Sequence, residues 1–263
     1  MFIHSFLPTS SLIALLWLSN LFTETEAGVC SILQVLGANH KIGAGFGVAT
    51  DGSVPRNGNG DTGADATEFD AVENPNSACG RVALHGGKNV DIASFTKKAV
   101  ASGLPLVYNN GSIPMTVFQV NRLGGGPMTC EYSADATGGS WEPMYMTLNM
   151  PGNFGLQSVQ NVKYSVVATF NAGAKFTGGV NHNMGLVRCR AGQKNVCGGC
   201  FVVQMDGVVS SSLSTPQSQQ IRTAVSSVTA GQDLSSQQMT IVINKVIATA
   251  KSQGLVASST ANR

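Results

Sequence analysis

Apolar and polar positions alternate along this chain in short runs, broken by glycine, proline and asparagine. Val29, Ile32, Leu33, Val35 and Leu36 predict a first strand. It leads into Gly43-Ala44-Gly45-Phe46-Gly47-Val48, whose glycine density predicts a loop or a close approach of backbones. Met115 to Val120 carries Val117, Phe118 and Val120, types that suit a pleated, half-buried surface. Met128 to Tyr132 alternates around Cys130, and Gly124-Gly125-Gly126-Pro127 between the two runs is turn chemistry. The two runs are therefore expected to pair as a long-looped β-hairpin, which needs a partner sheet. Gly185 to Gln204 predicts a second strand–turn–strand unit. Trp141 to Met150 alternates loosely and ends at Pro151-Gly152, and Val162 to Phe170 is a clean β-branched and aromatic run. The period changes at Val90 to Ala101, where Ile92, Phe95, Ala99 and Val100 predict a short helix stopped by Gly103 and Pro105. Strands at roughly ten-residue spacing, with no βαβ alternation and no repeat, predict a mainly β fold. The expected form is an antiparallel β-sandwich with long loops.

Both ends of the chain depart from this pattern. Leu12 to Leu18 is continuously apolar, and Thr25-Glu26-Ala27 places small residues where a signal peptidase requires them. Residues 1–27 are read as a cleaved signal peptide, the alternative being an uncleaved anchor. The apolar run is shorter than the ~20 residues a span needs, so no integral membrane span is expected after cleavage. Residues 28–207 are then the β domain. Residues 208–263 form a Ser/Gln-rich tail, either poorly ordered or holding two amphipathic helices, around Ile221–Val228 and Met239–Ile247. Asp51 to Asn76 reads as a long surface loop. Its Asp61, Asp65, Glu68, Asp70 and Glu73 lack the spacing of a calcium loop and read as a solvated acidic stretch.

Charged residues make up only 11% of the 263, against a usual ~25%. Net charge is +2 with no Lys/Arg run, so nucleic acid is not an expected partner. All six cysteines, Cys30, Cys79, Cys130, Cys189, Cys197 and Cys200, follow the signal, which suggests disulfides whose connectivity the sequence leaves open. Cys197-Gly-Gly-Cys200 would be a redox pair in a βαβ context, and Cys189, Cys197, Cys200 and His182 would be a possible zinc set in a reducing one. Asn110-Gly111-Ser112 is a glycosylation sequon, marking Asn110 as the candidate acceptor.

Catalytic signals are sparse. There is no Gly-x-Ser-x-Gly elbow and no His-Glu-x-x-His. His40, His85 and His182 lie among glycines and asparagines and read as surface residues. Asp91, Glu131, Asp135 and Glu142 could pair across a cleft for glycoside hydrolysis, but spacing alone assigns them no role. No catalytic residue, cofactor or metal is assigned.

Several blocks resemble one family. Asn121-Arg-Leu-Gly-Gly-Gly-Pro-Met-Thr-Cys130, Leu186-Val-Arg-Cys-Arg190 and Gly198-Gly-Cys-Phe-Val-Val-Gln204 are similar to blocks of the Gas/Egh-type appressorial virulence factors of plant-pathogenic fungi. Ala78-Cys-Gly-Arg-Val82 and Asn149-Met-Pro-Gly-Asn-Phe-Gly-Leu156 fit in the same order, and the likeness runs over about 28–206. It implies a role in host penetration and lesion development, and an immunoglobulin-like sandwich similar to that of copper-dependent polysaccharide monooxygenases. It also implies export from, or retention in, the appressorium. Those monooxygenases bind copper through an N-terminal histidine and a second histidine, whereas this chain has Ala27-Gly28-Val29 at the corresponding place. A non-enzymatic factor is therefore expected, binding wall polysaccharide or a host surface; Tyr132, Trp141 and Tyr145 are the candidate contact residues, with a place in the core the favoured reading of all three, and the alternative function is a polysaccharide-active oxidase. Relatives typically lack Cys30 and carry phenylalanine at the position of Cys197, so the resemblance also suggests a Cys30–Cys197 bridge.

Overall fold

The computed structural model describes residues 28–207; the expected signal peptide and tail helices lie outside the described residues. The strands are β1 (Cys30–Leu36), β2 (Ile42–Gly43), β3 (Thr67–Glu68), β4 (Arg81–Val82), β5 (Ser112–Gln119), β6 (Thr129–Ser133), β7 (Glu142–Pro143), β8 (Tyr145–Leu148), β9 (Val162–Thr169), β10 (Met184–Ala191) and β11 (Cys197–Gln204). The α-helix α1 (Ile92–Ser102) starts where the Asp91 carboxylate accepts from the Ser94 N–H at 3.1 Å and stops at Gly103. Nine strands form one sheet in the order β7-β6-β10-β11-β1-β5-β9-β8, with β2 beside β1, and β3 and β4 pair separately.

The sheet nearly closes on itself. β7 and β8 are separated only by Met144, yet β7 pairs with β6 at one edge of the order and β8 with β9 at the other. The Met144 N–H also donates to the Cys130 carbonyl at 2.9 Å. The mainly β expectation holds. Its two-sheet sandwich form is not established by this pairing, which links the strands edge to edge.

Two pairings depart from the sequence pattern. The expected hairpin of β5 with β6 does not form: β5 lies between β1 and β9, and β6 between β10 and β7. The glycines between them explain the difference, because they let backbone pass close to backbone instead of making a tight reversal. A Cβ on Gly124 would lie 2.2 Å from the Val29 carbonyl oxygen, and one on Gly126 2.2 Å from that of Met150. Second, β1 pairs with β11 in parallel, so the sheet is not wholly antiparallel. The β10–β11 hairpin is present in full register, Ala191 opposite Cys197 through Met184 opposite Gln204.

Side-chain alternation sorts the sheet into two faces. Inward residues, including Ile32, Met115, Val117, Val166, Val187, Cys189, Phe201 and Val203, are buried in the main core. Tyr132, Phe170 and Phe176 meet there with ring centroids 5.0, 5.3 and 6.1 Å apart, each pair adding roughly 0.5–1.5 kcal/mol beyond its buried area. Outward Leu186, Cys200 and Val202 form a second cluster with Phe46, under Ile92, Phe95 and Ala99 of α1. The Cys30–Cys197 disulfide joins the parallel strands β1 and β11, Cys130–Cys189 joins opposed residues of β6 and β10, and Cys79–Cys200 pins the chain before β4 to the outer face of β11. Cys197 and Cys200 thus belong to different bridges, which removes the redox-pair and zinc-set alternatives.

Candidate binding cleft

The outer face of β1, β5 and β9 is left open beside α1. A cleft of about 1220 Å³ lies there. Its floor is a strip of polar side chains across three neighbouring strands, Gln34, Thr116 and Lys163, with Gln34 paired to Thr116 and Lys163 to Phe118 in the ladder. One wall is α1, through Phe95, Lys98 and Ser102; the other is the 42–51 segment, from Ile42 to Asp51. Arg56 and His85 complete the rim.

Each wall is held by identifiable contacts. Phe95 stacks on Phe46 with centroids 5.5 Å apart, and His85 meets the edge of Phe95 at 5.6 Å. The His85 Nε2 lies 3.2 Å from the Gly47 carbonyl. Lys98 carries its ammonium 5.2 Å from the Phe95 centroid, a cation–π contact at an exposed site. Arg56 is clamped to Asp65, whose carboxylate is fully buried and also accepts the Ala49 N–H at 2.8 Å, and its guanidinium lies 5.6 Å from the Phe118 ring. Hydrogen bonds from the Ser53 hydroxyl and N–H hold the exposed Asp51 carboxyl below its ordinary range. The cleft is thus lined by ammonium, guanidinium, amide, hydroxyl and carboxylate groups together with apolar surface such as Phe46 and Phe95.

On the other side of α1 the outer face is sealed. Arg188 of β10 is 2% exposed. Its Nε donates to Glu131 at 2.9 Å, Nη1 to the Ala78 carbonyl at 3.0 Å and Nη2 to Glu73 at 2.7 Å. Its guanidinium lies 4.1 Å from the centre of the Trp141 ring, and Arg190 also donates to Glu131 at 3.0 Å. The hydrogen bond from Arg188 is the main cause holding Glu73 below its ordinary value.

The structure scatters the residues singled out from sequence. Tyr132 is 2% exposed and donates its hydroxyl to Glu142 at 2.7 Å, so it belongs to the core and not to a binding surface. Burial, then the Glu142 carboxylate, pushes its phenol well above the ordinary value. Trp141 is half-buried on Arg188, while Tyr145 is 52% exposed on β8. Neither lines the cleft. Glu131, Asp135, Glu142 and Asp91 are engaged separately, with Arg188 and Arg190, with Ser133 and Thr137, with Tyr132, and as the α1 cap. The acidic stretch is not uniformly solvated: Asp65 pairs with Arg56, Glu68 and Asp70 with Arg81, and Glu73 with Arg188. Asn110 accepts from the Ser112 N–H at 3.1 Å and its hydroxyl at 2.7 Å in the turn before β5.

A copper brace does not fit these residues. Gly28 packs against Leu123 and Gln193, and Val29 donates to Asn121 at 3.0 Å, none of which is a histidine. His85 and His182 bond to separate carbonyls, those of Gly47 and Thr177. Among the described residues, no three His, Cys, Asp or Glu side chains gather as a metal site.

The cleft was only partly visible in sequence. The glycine density of 43–48 predicts a loop or a close backbone approach, and the helical period includes Phe95, but Gln34, Thr116 and Lys163 are ordinary strand residues whose alignment depends on strand order.

Comparison with known proteins gives the family. Residues 27–199 match the model of Egh16-like virulence factors. The appressoria-specific virulence factor GAS1 of Pyricularia oryzae is 33% identical over 190 residues, covering 69% of this chain and 73% of that protein. GAS2 of the same fungus is 27% identical over 128 residues, 47% of this chain and 41% of its own. No solved structure matches. With three disulfides bracing one nearly closed sheet and the family's blocks in order along it, the chain belongs to the Egh16-like virulence factor family.

Proposed function

We propose that this protein is an exported virulence factor of a fungal infection cell that holds cell-wall polysaccharide in the cleft without altering it chemically. The observation that carries this reading is the Gln34–Thr116–Lys163 strip, floored by sheet and walled by α1. An open groove with aligned donors and acceptors suits a polyol chain, which presents hydroxyls along its length. The non-enzymatic part rests on the carboxylates singled out for glycoside hydrolysis: Glu131, Asp135, Glu142 and Asp91 are each bound to a structural partner. Export is supported by three disulfides, which persist in oxidising compartments. Among the described residues no helix is long and apolar enough to cross a membrane. The appressorial setting comes from the names of GAS1 and GAS2.

The test is retention on insoluble chitin, β-glucan and cellulose, with product analysis of the supernatant. The parent chain should be retained on at least one of them, and Ser102→Trp, which puts bulk into the cleft from an exposed helix position, should be released. Equal retention of both, or none of either, would sink the reading. Oxidised or shortened oligosaccharides would replace it with an enzyme.

A further inference from the structure

A second surface lies at the end of the sheet where the chain enters at Gly28. Asn153 and Leu156 exchange two backbone hydrogen bonds, of 2.9 and 3.0 Å, around Phe154 and Gly155. Both central residues have positive φ, +49° for Phe154 and +81° for Gly155. This is a type I′ turn, whose first central position favours asparagine or glycine. A phenylalanine there is strained by its Cβ. Nor does burial compensate, since Phe154 is 85% exposed. Neither turn preference nor core packing accounts for the residue.

The turn is firmly held. Gly155 donates to the Gly126 carbonyl at 3.0 Å and accepts from Gly125 at 2.9 Å, and the Gln157 N–H donates to the Arg122 carbonyl at 2.9 Å. A Cβ on Gly155 would fall 1.9 Å from the Gln193 nitrogen, so the base of the turn is pressed against the 193–195 loop. Phe154 is thus presented on an anchored support, with Leu156 at 47% and Val159 at 44% exposure beside it in the chain. Exposed Arg122 and Lys194 stand on the two loops that brace the turn. Segments 121–127, 150–161 and 192–195 contain no acidic residue; Asp61 is on the adjoining 57–63 loop, which touches Asn161 through Gly58.

We propose that this turn is a membrane-contacting finger, with Phe154, Leu156 and Val159 entering the headgroup layer of an anionic bilayer to which Arg122 and Lys194 are attracted. Three side chains without a hydrogen-bonding group suit an acyl boundary better than a hydroxyl-rich sugar surface, where aliphatic Leu156 and Val159 would have nothing to stack on. Flanking cations add attraction to anionic headgroups and none to neutral glucan or chitin.

The test is co-sedimentation of the full exported chain with phosphatidylcholine vesicles containing phosphatidylserine, alongside phosphatidylcholine alone. The parent chain should bind the mixed vesicles and bind the neutral ones more weakly. Phe154→Asn should lower that affinity about tenfold or more, by removing one large buried side chain, while thermal stability stays level or rises because asparagine suits the turn. Arg122→Glu should reduce binding to the mixed vesicles and leave binding to the neutral ones unchanged. Absence of vesicle binding by the parent chain, or equal binding by Phe154→Asn, overturns the proposal. So does a Phe154→Asn protein that loses retention on polysaccharide instead, which would make the finger part of a sugar-binding face. Ser102→Trp should bind vesicles normally, so failure of the cleft reading is distinguishable from failure of this one.

Discussion

Two regions of the same outer sheet face are built from opposite solutions. Over β6 and β10 the face is closed: Arg188 is buried, and its donors are met by Glu131, Glu73 and the Ala78 carbonyl while Trp141 covers the guanidinium. Over β1, β5 and β9 the face carries polar side chains at the same alternation, and there they line a cleft walled by α1 and the 42–51 segment. The helix α1 borders both. The difference teaches that loops and a covering aromatic ring turn a charge on a sheet face into a buried structural cluster, while the same polar pattern lines a cleft where the flanking segments form walls beside it.

That contrast can be broken most severely at Arg188. Arg188→Ala should cost about 3–5 kcal/mol, because it leaves Glu131 partly buried beside a vacated guanidinium site; urea unfolding measures it, and a loss under 1 kcal/mol would erase the distinction between the regions. Removing the Cys30–Cys197 bridge by paired serine substitution should cost about 2–5 kcal/mol. Its effect on calorimetric stability should leave the Arg188 cluster's contribution intact, since the bridge sits on the inner face. Tyr132→Phe removes one part-buried hydrogen bond to Glu142 and should cost about 1 kcal/mol in the same assay.

A smaller effect concerns pH. Glu73 lies below its ordinary 4.5, chiefly through Arg188, and Asp135 below its ordinary 3.8, chiefly through the Thr137 N–H. A depressed folded value means stabilisation that is complete above the ordinary value and is lost as pH falls through the depressed one. Urea midpoints should therefore hold from neutral pH down to the ordinary carboxylate range and fall below it, and Glu73→Gln should make that fall shallower. The smallest effect belongs to the open region: Lys98→Ala should change stability by no more than about 0.5 kcal/mol, since its ammonium is exposed over Phe95. A larger loss would mean that the cleft wall is structural too.

Much of the local structure was legible beforehand. Helix α1 shows its period and its Gly103 stop in the sequence, because those are decided within one or two turns of chain, whereas its Asp91 cap emerged from the structure. The strands β1, β9, β10 and β11 follow their own apolar runs. The sequence points to a β5–β6 hairpin that does not form, because glycines that permit a turn are the same glycines that permit close passage of backbone, and only the neighbour at Val29 or Met150 separates the two. Tyr132 shows the same limit: its residue type suits a binding surface, while its inward position on β6 places it among Phe170 and Phe176.

By itself, the sequence determined the family through blocks of adjacent residues, the mainly β character through its two-residue period, and the cysteine set. Tertiary structure alone decided that the bridge suggested between Cys30 and Cys197 spans a parallel strand pair, that Arg188 collects Glu131 and Glu73 from distant segments, and that Gln34, Thr116 and Lys163 line up. The reason is physical: propensity and alternation act over a few residues, whereas strand order is chosen by which faces bury the most apolar area together, and that choice has no local signature.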